Sequence, residues 1–211
     1  MIKDLFKGCL TIPNLLSVIR IALIPVFAVM YLQGNQIAAI IILAVSGLTD
    51  LFDGKIARRF NQVSALGKIL DPVADKLTQI TIAVILFICF RNSSSSVINA
   101  FGWVFLVFLI KEGIMVVGGL VMLLMNIRPG AAEMPGKVAT CTFYGVMILV
   151  IAFGPDVGVL TNLWTMPDVL TGILVVIAAC TCVFAFASYM PETYRQFREH
   201  FREKKAQNVS K

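Results

Sequence analysis

Charge is scarce in this sequence. Only 14% of its 211 residues are charged, whereas 58% are hydrophobic and the mean hydropathy is +0.87. A typical soluble domain has about 25% charged residues, so this composition excludes a soluble globular protein. Several apolar runs approach the roughly 20 residues that a helix needs to cross about 30 Å of hydrocarbon. The sequence therefore predicts an all-α, polytopic membrane protein.

Histidine and paired cysteines are also lacking. His200 is the single histidine and has no partner at ligand spacing, while Cys180 and Cys182 have the wrong spacing for a zinc or redox pair. The five cysteines are scattered and are best interpreted as small buried hydrophobes. The net charge of +6 indicates a cytoplasmic face against anionic lipid, and it does not indicate a nucleic-acid partner.

The apolar runs predict six transmembrane helices. Residues 1–11 alternate apolar and charged side chains, which predicts an N-terminal interfacial helix and no cleavable signal peptide. We expect a membrane domain over residues 1–190 and a basic amphipathic tail over 191–211, suited to a lipid surface. The predicted spans cover about residues 13–33, 37–59, 65–90, 97–125, 137–153 and 167–190.

Lysine and arginine are distributed unevenly along the chain. Of the 18 residues of these types, all but Arg20, Arg91 and Lys111 lie in the termini, the 54–76 segment or the 126–137 loop. The positive-inside rule places these segments, and hence both termini, on the cytoplasmic side. An even number of spans agrees with this orientation.

Four aspartates lie within 26 residues at the edge of the second and third spans: Asp50, Asp53, Asp71 and Asp75. One Asp at the bilayer centre costs about 2.5–3.5 kcal/mol. The first two are three residues apart and the last two are four apart, so each pair shares one face of a helix. Two adjacent helices can thus present four carboxylates to one cavity. A divalent cation is the expected partner, because Mg²⁺ and Ca²⁺ prefer carboxylate oxygens.

This density of carboxylates predicts phosphoryl transfer at the membrane surface. Two Mg²⁺ ions about 3.5–4 Å apart clamp a phosphoryl group, and one carboxylate can then act as a general base. Gly54, Ala57 and Gly67 leave room against the backbone, and Arg58 can neutralise phosphate oxygens. Two alternatives stay open: a solvated loop whose acids balance nearby Lys and Arg residues, and a divalent-cation transporter.

The pattern Asp50-x2-Asp53-Gly54-x2-Ala57-Arg58-x8-Gly67-x3-Asp71-x3-Asp75 resembles the motif of the CDP-alcohol phosphatidyltransferase family at all eight fixed positions. The resemblance implies a homodimeric enzyme of phospholipid biosynthesis, in a bacterial plasma membrane, that displaces CMP from a CDP-linked lipid. It implies two metal ions, Mg²⁺ or alternatively Mn²⁺, held by the four aspartates, with Asp75 also acting as the base. It further implies a CDP-lipid pocket lined by Gly54, Ala57, Arg58, Ser64 and Gly67.

The identity of the acceptor alcohol is indicated by other stretches of the sequence. Residues 12–17, 67–77 and 136–140 resemble phosphatidylglycerophosphate synthases, which transfer the phosphatidyl group of CDP-diacylglycerol to glycerol 3-phosphate. Candidates for binding the acceptor phosphate are Lys111, Lys137 and Arg20. CMP-forming cardiolipin synthases, which use phosphatidylglycerol, share much of the pattern and stay open as the alternative, as does another alcohol.

Each of these three cations also has a simpler interpretation. Arg20 could snorkel to the interface, Lys137 could anchor the helix at the cytoplasmic surface, and Lys111 could form an interhelical ion pair. The phosphatidylglycerophosphate synthases have an Arg-Glu pair where this chain has Lys111-Glu112, and lysine lacks the guanidinium fork that grips phosphate. Adjacent helical residues point about 100° apart, so Lys111 and Glu112 need not pair with each other.

Overall fold

Six α-helices account for nearly all of the part of the chain that the computed structural model describes. That part comprises residues 11–59, 67–125, 127 and 134–209, without the side chains of residues 12, 13, 48, 50–59, 67–69, 71, 72, 123 and 203–209. The helices are α1 (Ile12–Leu32), α2 (Gln36–Arg59), α3 (Gly67–Arg91), α4 (Ser96–Leu124), α5 (Met134–Phe153) and α6 (Asp168–Val209). Within these described residues there is no β-strand, which confirms the all-α prediction. The predicted interfacial helix over residues 1–11 lies almost entirely outside them.

Local signals set the first helix boundaries. The side chain of Thr11 caps α1 by accepting a hydrogen bond from the backbone N–H of Asn14 at 3.4 Å, as expected for a threonine at a helix N-cap. After α1, Gly34 adopts φ 82°, a left-handed conformation that glycine tolerates best. The side chain of Asn35 then accepts from the backbone N–H of Ala38 at 3.4 Å and caps α2.

In the part of the chain that the structure describes, five helices contain segments long and apolar enough to cross a membrane, as expected for a multi-pass membrane protein. These segments are Asn14–Leu32, Val73–Arg91, Ser96–Met122, Met134–Phe153 and Asp168–Arg202. The predicted second span differs, because the apolar part of α2 covers only Gln36–Gly47. At about 1.5 Å per residue this part reaches roughly 18 Å, and the charged last turns of α2 supply the remaining length. The count of six spans and the cytoplasmic termini therefore stay predictions.

Helix α6 is much longer than its predicted span. Its 42 residues continue through Pro191 to Val209, a length of about 63 Å, whereas the hydrocarbon layer is about 30 Å thick. Beyond Pro191 the helix is stabilised by exposed ion pairs from Arg195 to Glu192 at 3.3 Å and to Glu199 at 3.6 Å. The basic tail is thus helical and continuous with the last span, while its separation as a domain at residue 191 stays a prediction.

Packing divides the chain into two compact units, Met1–Ile85 and Leu86–Lys211. In the first unit, α1 packs along α2, and Phe27, Tyr31 and Ala39 are buried. The boundary between the units falls within α3.

In the second unit, α6 packs against both α4 and α5. Its interior contains aromatic pairs, including a stack of Phe108 on Phe143 with ring centroids 4.4 Å apart. An edge-on contact joins Phe90 and Phe105, whose ring centroids are 5.2 Å apart.

Two serine–aspartate hydrogen bonds join distant connections of the second unit. Ser93 donates to Asp156 at 2.5 Å, and Ser95 donates to Asp168 at the start of α6. Nearby, Arg91 lies over the ring of Trp103 at 4.6 Å from its centroid. Trp103 and Trp164 are each about half exposed, as expected for tryptophans of an aromatic belt.

Candidate functional site

The four motif aspartates are carried by two helices. Asp50 and Asp53 lie in the last turns of α2, and Asp71 and Asp75 lie in the first turns of α3. The helical assignment gives each pair the i,i+3 or i,i+4 spacing that puts side chains on one helix face. The side chains of Asp50, Asp53 and Asp71 lie outside the described residues, so their predicted metal contacts stay predictions.

Asp75 is the one motif aspartate whose side chain the structure describes. It is half-buried and lies two residues inside the membrane segment Val73–Arg91. The side-chain amide of Gln79 donates to Asp75 Oδ2 at 3.5 Å. The amide oxygen of the same glutamine accepts from Lys76 Nζ at 3.4 Å. The predicted base is thus held at the edge of a span and next to a buried carboxamide.

Gln79 was not among the residues predicted from the sequence. It is only 3% exposed, and a buried carboxamide is stable in an apolar segment only when its polar atoms are hydrogen-bonded. The signal that could have identified it is its spacing, because Asp71, Asp75 and Gln79 recur every four residues along α3.

For four of the five residues predicted to bind the CDP-lipid, the structure describes the backbone but not the side chains. Gly54, Ala57 and Arg58 lie in α2, and Gly67 is the first residue of α3. Ser64 falls between these helices, outside the described residues. The structure therefore locates four of these five predicted pocket residues on the two helices that carry the aspartates, and the pocket itself stays a prediction.

A small cavity within the first unit is lined by residues of α1, α2 and α3. Its walls include Phe27 from α1, Ser46 from α2 and Thr78 from α3. Ser46 is one turn before Asp50, and Thr78 is three residues after Asp75. Residues of α2 and α3 therefore line one cavity within about one turn of two of the predicted metal ligands.

Helix α1 contributes a buried polar face to the same unit. Asn14, Ser17 and Arg20 are each 4% exposed or less, and the i,i+3 spacing places neighbouring members of this series close together on the helix. The Arg20 side chain is buried, which disagrees with the alternative interpretation that it snorkels to water. A cation buried in the first unit remains compatible with the prediction that Arg20 binds a phosphate.

Lys111 and Glu112 form a buried ion pair in α4, with side chains 9% and 1% exposed. Lys111 Nζ also lies 5.1 Å from the centroid of the Phe108 ring. Neighbouring residues do not normally face each other on a helix, so this pairing was not expected. The flexible lysine stem allows it, and separating the charges in a low-dielectric interior would be more unfavourable. Lys111 is therefore partly neutralised before any acceptor phosphate approaches.

Lys137 has a different environment from Lys111. It is exposed in the first turn of α5, where the helix begins at Met134. The preceding Gly136 has no side chain, and a Cβ at this position would collide with the hydroxyl of Tyr189. Glycine therefore permits a close approach of Tyr189 to α5, while Lys137 remains accessible to a ligand.

The donor set is suited to a hard divalent cation. All four predicted ligands are aspartates, and carboxylate oxygens are preferred by Mg²⁺ and Mn²⁺, whereas zinc sites usually contain histidine or cysteine. Asp75 offers a carboxylate at the edge of the membrane segment, next to a neutral amide. The described side chains contain no cluster of three or more His, Cys, Asp or Glu residues, and those of three of the four predicted ligands are not among them.

Comparison with known proteins identifies a family for most of the chain. The model of the CDP-alcohol phosphatidyltransferase family matches residues 10–186. This range includes α1 to α5 and the first part of α6, up to residue 186. It also includes every candidate site residue discussed above.

Individual relatives are similar over a shorter stretch. The cardiolipin synthase (CMP-forming) of Streptomyces coelicolor is 50% identical over 74 residues, which are 32% of this chain and 34% of that protein. The human cardiolipin synthase (CMP-forming) is 49% identical over 75 residues, or 35% of this chain and 25% of that protein. The CDP-diacylglycerol–glycerol-3-phosphate 3-phosphatidyltransferase of Rickettsia typhi is 41% identical over 69 residues, or 31% of this chain and 39% of that protein. The chain thus aligns with well under half the length of each relative.

Proposed function

Because the chain belongs to the CDP-alcohol phosphatidyltransferase family, we propose that it transfers the phosphatidyl group of CDP-diacylglycerol to glycerol 3-phosphate. The products are CMP and phosphatidylglycerophosphate. The observation that carries this proposal is the family match, together with the complete eight-position motif on α2 and α3. The enzyme works in the plasma membrane of a bacterium, as a homodimer, with its site facing the cytoplasm.

In the proposed reaction, an oxygen of the acceptor attacks the lipid-side phosphorus of CDP-diacylglycerol. A new P–O bond forms to the acceptor, and the bond from this phosphorus to the bridging oxygen breaks, so that CMP leaves with that oxygen. Asp75 accepts the proton of the acceptor hydroxyl, a role that typically contributes about 10²–10⁴-fold to the rate. Gly54, Ala57, Ser64 and Gly67 line the nucleotide pocket.

Divalent metal ions, Mg²⁺ in the first instance, would be held by Asp50, Asp53, Asp71 and Asp75. When bound, they would supply charge stabilisation at the phosphoryl oxygens. Arg58 binds the remaining anionic oxygens of the pyrophosphate, because a guanidinium matches phosphate geometry in a bidentate fashion.

The acceptor phosphate is assigned first to Lys137. This residue is exposed, whereas Lys111 is buried and engaged by Glu112. Arg20 is a second buried cation and lies in the first unit with the motif. Its exposure therefore ranks Lys137 first as a phosphate ligand, and its position in the same unit as the motif ranks Arg20 second.

Phosphatidylglycerol is the second candidate acceptor, which would make the protein a CMP-forming cardiolipin synthase. The names of the Streptomyces and human relatives favour it, whereas the Rickettsia relative favours glycerol 3-phosphate. Cation transport is less well supported, because Asp75 lies at the edge of its membrane segment and not at the centre.

A panel of acceptors tests the proposal. The purified full chain, reconstituted with CDP-diacylglycerol and Mg²⁺, is given glycerol 3-phosphate, phosphatidylglycerol, serine or inositol in separate reactions. We expect CMP release with glycerol 3-phosphate and phosphatidylglycerophosphate as the lipid product in mass spectra. Cardiolipin formed only with phosphatidylglycerol would transfer the assignment to the second candidate, and no CMP with any alcohol would exclude phosphatidyl transfer.

A further inference from the structure

Gln79 is the described side chain that connects the proposed base to a neighbouring cation. It lies one helical turn beyond Asp75 in α3 and is 3% exposed. A carboxylate only accepts hydrogen bonds and an ammonium only donates them. The NH₂ group of Gln79 therefore faces Asp75 Oδ2, and its oxygen faces Lys76 Nζ. One buried amide thus satisfies both of its polar ends with two residues of the motif region.

This arrangement restricts Asp75 in two ways. A donor on Oδ2 selects one rotamer of the carboxylate and leaves Oδ1 as the oxygen directed away from Gln79. The amide oxygen also accepts from Lys76 Nζ at 3.4 Å, which keeps the NH₂ group of Gln79 turned towards Asp75. Partners of this kind around metal-binding and catalytic side chains typically contribute about 10- to 100-fold to metal affinity or activity.

From this geometry we propose that Gln79 is a positioning residue, which orients Asp75 for metal binding and for proton transfer from the acceptor. The proposal rests on the function proposed above for Asp75. Gln79 acts through Asp75 and does not itself contact the lipid substrate or the acceptor. Its removal therefore lowers kcat and metal affinity and leaves the KM for CDP-diacylglycerol nearly unchanged.

The test compares Gln79→Leu with a matched control in the neighbouring position. Leucine has nearly the same volume and removes both hydrogen bonds. The control is Thr78→Val, because the Thr78 hydroxyl donates to the Ala74 carbonyl of its own helix at 2.9 Å and is similarly buried. We expect kcat to fall about 10- to 100-fold in Gln79→Leu, and to stay within about twofold of the wild type in Thr78→Val. Equal kcat in the two variants, or a raised KM for CDP-diacylglycerol at unchanged kcat, would overturn the proposal.

A double mutant separates positioning from general packing. If Gln79 acts through Asp75, then Asp75→Asn combined with Gln79→Leu has the same residual turnover as Asp75→Asn alone, within about twofold. Independent losses that multiply would show that Gln79 acts elsewhere and would contradict the proposal.

Metal binding provides a readout that does not require turnover. Mn²⁺ is titrated into the full-length, detergent-solubilised protein without lipid substrate, and the free ion is followed by its EPR signal. We expect Gln79→Leu to weaken Mn²⁺ binding about tenfold and Thr78→Val to leave it unchanged. If the wild type released no CMP with any acceptor, the proposed function would be wrong. The comparison of Mn²⁺ affinities would still test the positioning role of Gln79. Unaltered Mn²⁺ affinity in Gln79→Leu, or no Mn²⁺ binding by the wild type, would refute the positioning role of Gln79.

Discussion

Buried polar side chains are concentrated in the unit Met1–Ile85, whereas the unit Leu86–Lys211 is filled mainly by aromatic and aliphatic groups. Among the described residues, the first unit buries Asn14, Ser17, Arg20, Ser46, Thr78 and Gln79. The second buries Lys111, Glu112 and Thr171. Lys111 and Glu112 pair with each other, and the Thr171 hydroxyl donates to the Pro167 carbonyl at 3.2 Å.

This difference separates two tasks. In an apolar environment, buried polar groups require partners, and the unit that contains more of them is also the one that carries the motif aspartates. Aromatic pairs such as Phe108 with Phe143 instead fix the distance between helices. The first unit is therefore expected to respond to mutation mainly through activity, and the second mainly through stability.

The largest expected effect is in the first unit. Asp75→Asn removes the proposed base but keeps the shape of the side chain, so turnover should fall about 10²–10⁴-fold while CDP-diacylglycerol still binds. Initial rates of CMP release and equilibrium binding of the lipid measure the two quantities. The control is Asp168→Asn in the second unit, which should keep wild-type turnover. Near-normal turnover of Asp75→Asn would exclude Asp75 as the base.

The next effect tests the buried ion pair of the second unit. Lys111→Met leaves the Glu112 carboxylate in an apolar interior, and breaking a buried pair from one side costs about 3–5 kcal/mol. The loss should appear as a lower midpoint of thermal unfolding in detergent. Converting both residues, with Lys111→Met and Glu112→Leu together, should recover much of this stability. If Lys111→Met instead left stability unchanged and raised the KM for the acceptor, Lys111 would belong with the binding residues.

A smaller effect tests close packing between α4 and α6. Gly172 lies against the ring of Phe101, and a Cβ added there would overlap that ring. Gly172→Ala should therefore destabilise the protein by about 1–3 kcal/mol. The matched control is Gly113→Ala in α4, where a Cβ meets nothing within 4 Å and alanine favours the helix. Equal unfolding midpoints for the two variants would argue against tight packing at Gly172.

The smallest effect concerns an exception to the division between the units. Lys137 lies in the second unit but is proposed to bind the acceptor phosphate. Lys137→Gln should raise the KM for glycerol 3-phosphate about tenfold, equivalent to about 1.4 kcal/mol, without changing the KM for CDP-diacylglycerol or the unfolding midpoint. Lys137→Arg should keep most of the affinity, because it retains the charge. A KM unaffected by Lys137→Gln would leave Arg20 as the first acceptor-phosphate candidate.

The helices were predictable because long apolar runs leave few alternatives in a membrane. Predicted and observed limits agree within three residues for each helix from α1 to α5. The short apolar part of α2 was less evident, since Asp50 and Asp53 lie in a helix that continues regularly beyond it. The continuation of α6 past Pro191 also could not be read from composition, because a proline followed by charged residues is equally typical of a helix end.

Side-chain partners were harder to predict than helices. The spacing of the aspartates predicted which of them share a helix face, but it did not identify Gln79 as the partner of Asp75. Helical angles alone did not predict a contact between Lys111 and Glu112, whereas the long lysine side chain makes that contact. Rotamer choice in a low-dielectric interior depends on the surrounding packing, and sequence spacing does not contain this information.

The two serine–aspartate hydrogen bonds of the second unit also constrain the order of assembly during synthesis. Ser93 and Ser95 precede α4, whereas their partners Asp156 and Asp168 follow 63 and 73 residues later. The Ser93–Asp156 bond cannot form until α4 and α5 have been translated, and the Ser95–Asp168 bond also requires the start of α6. Until then, the loop before α4 lacks these contacts. Completion of the second unit is therefore a late event in biogenesis, which the last helix brings about.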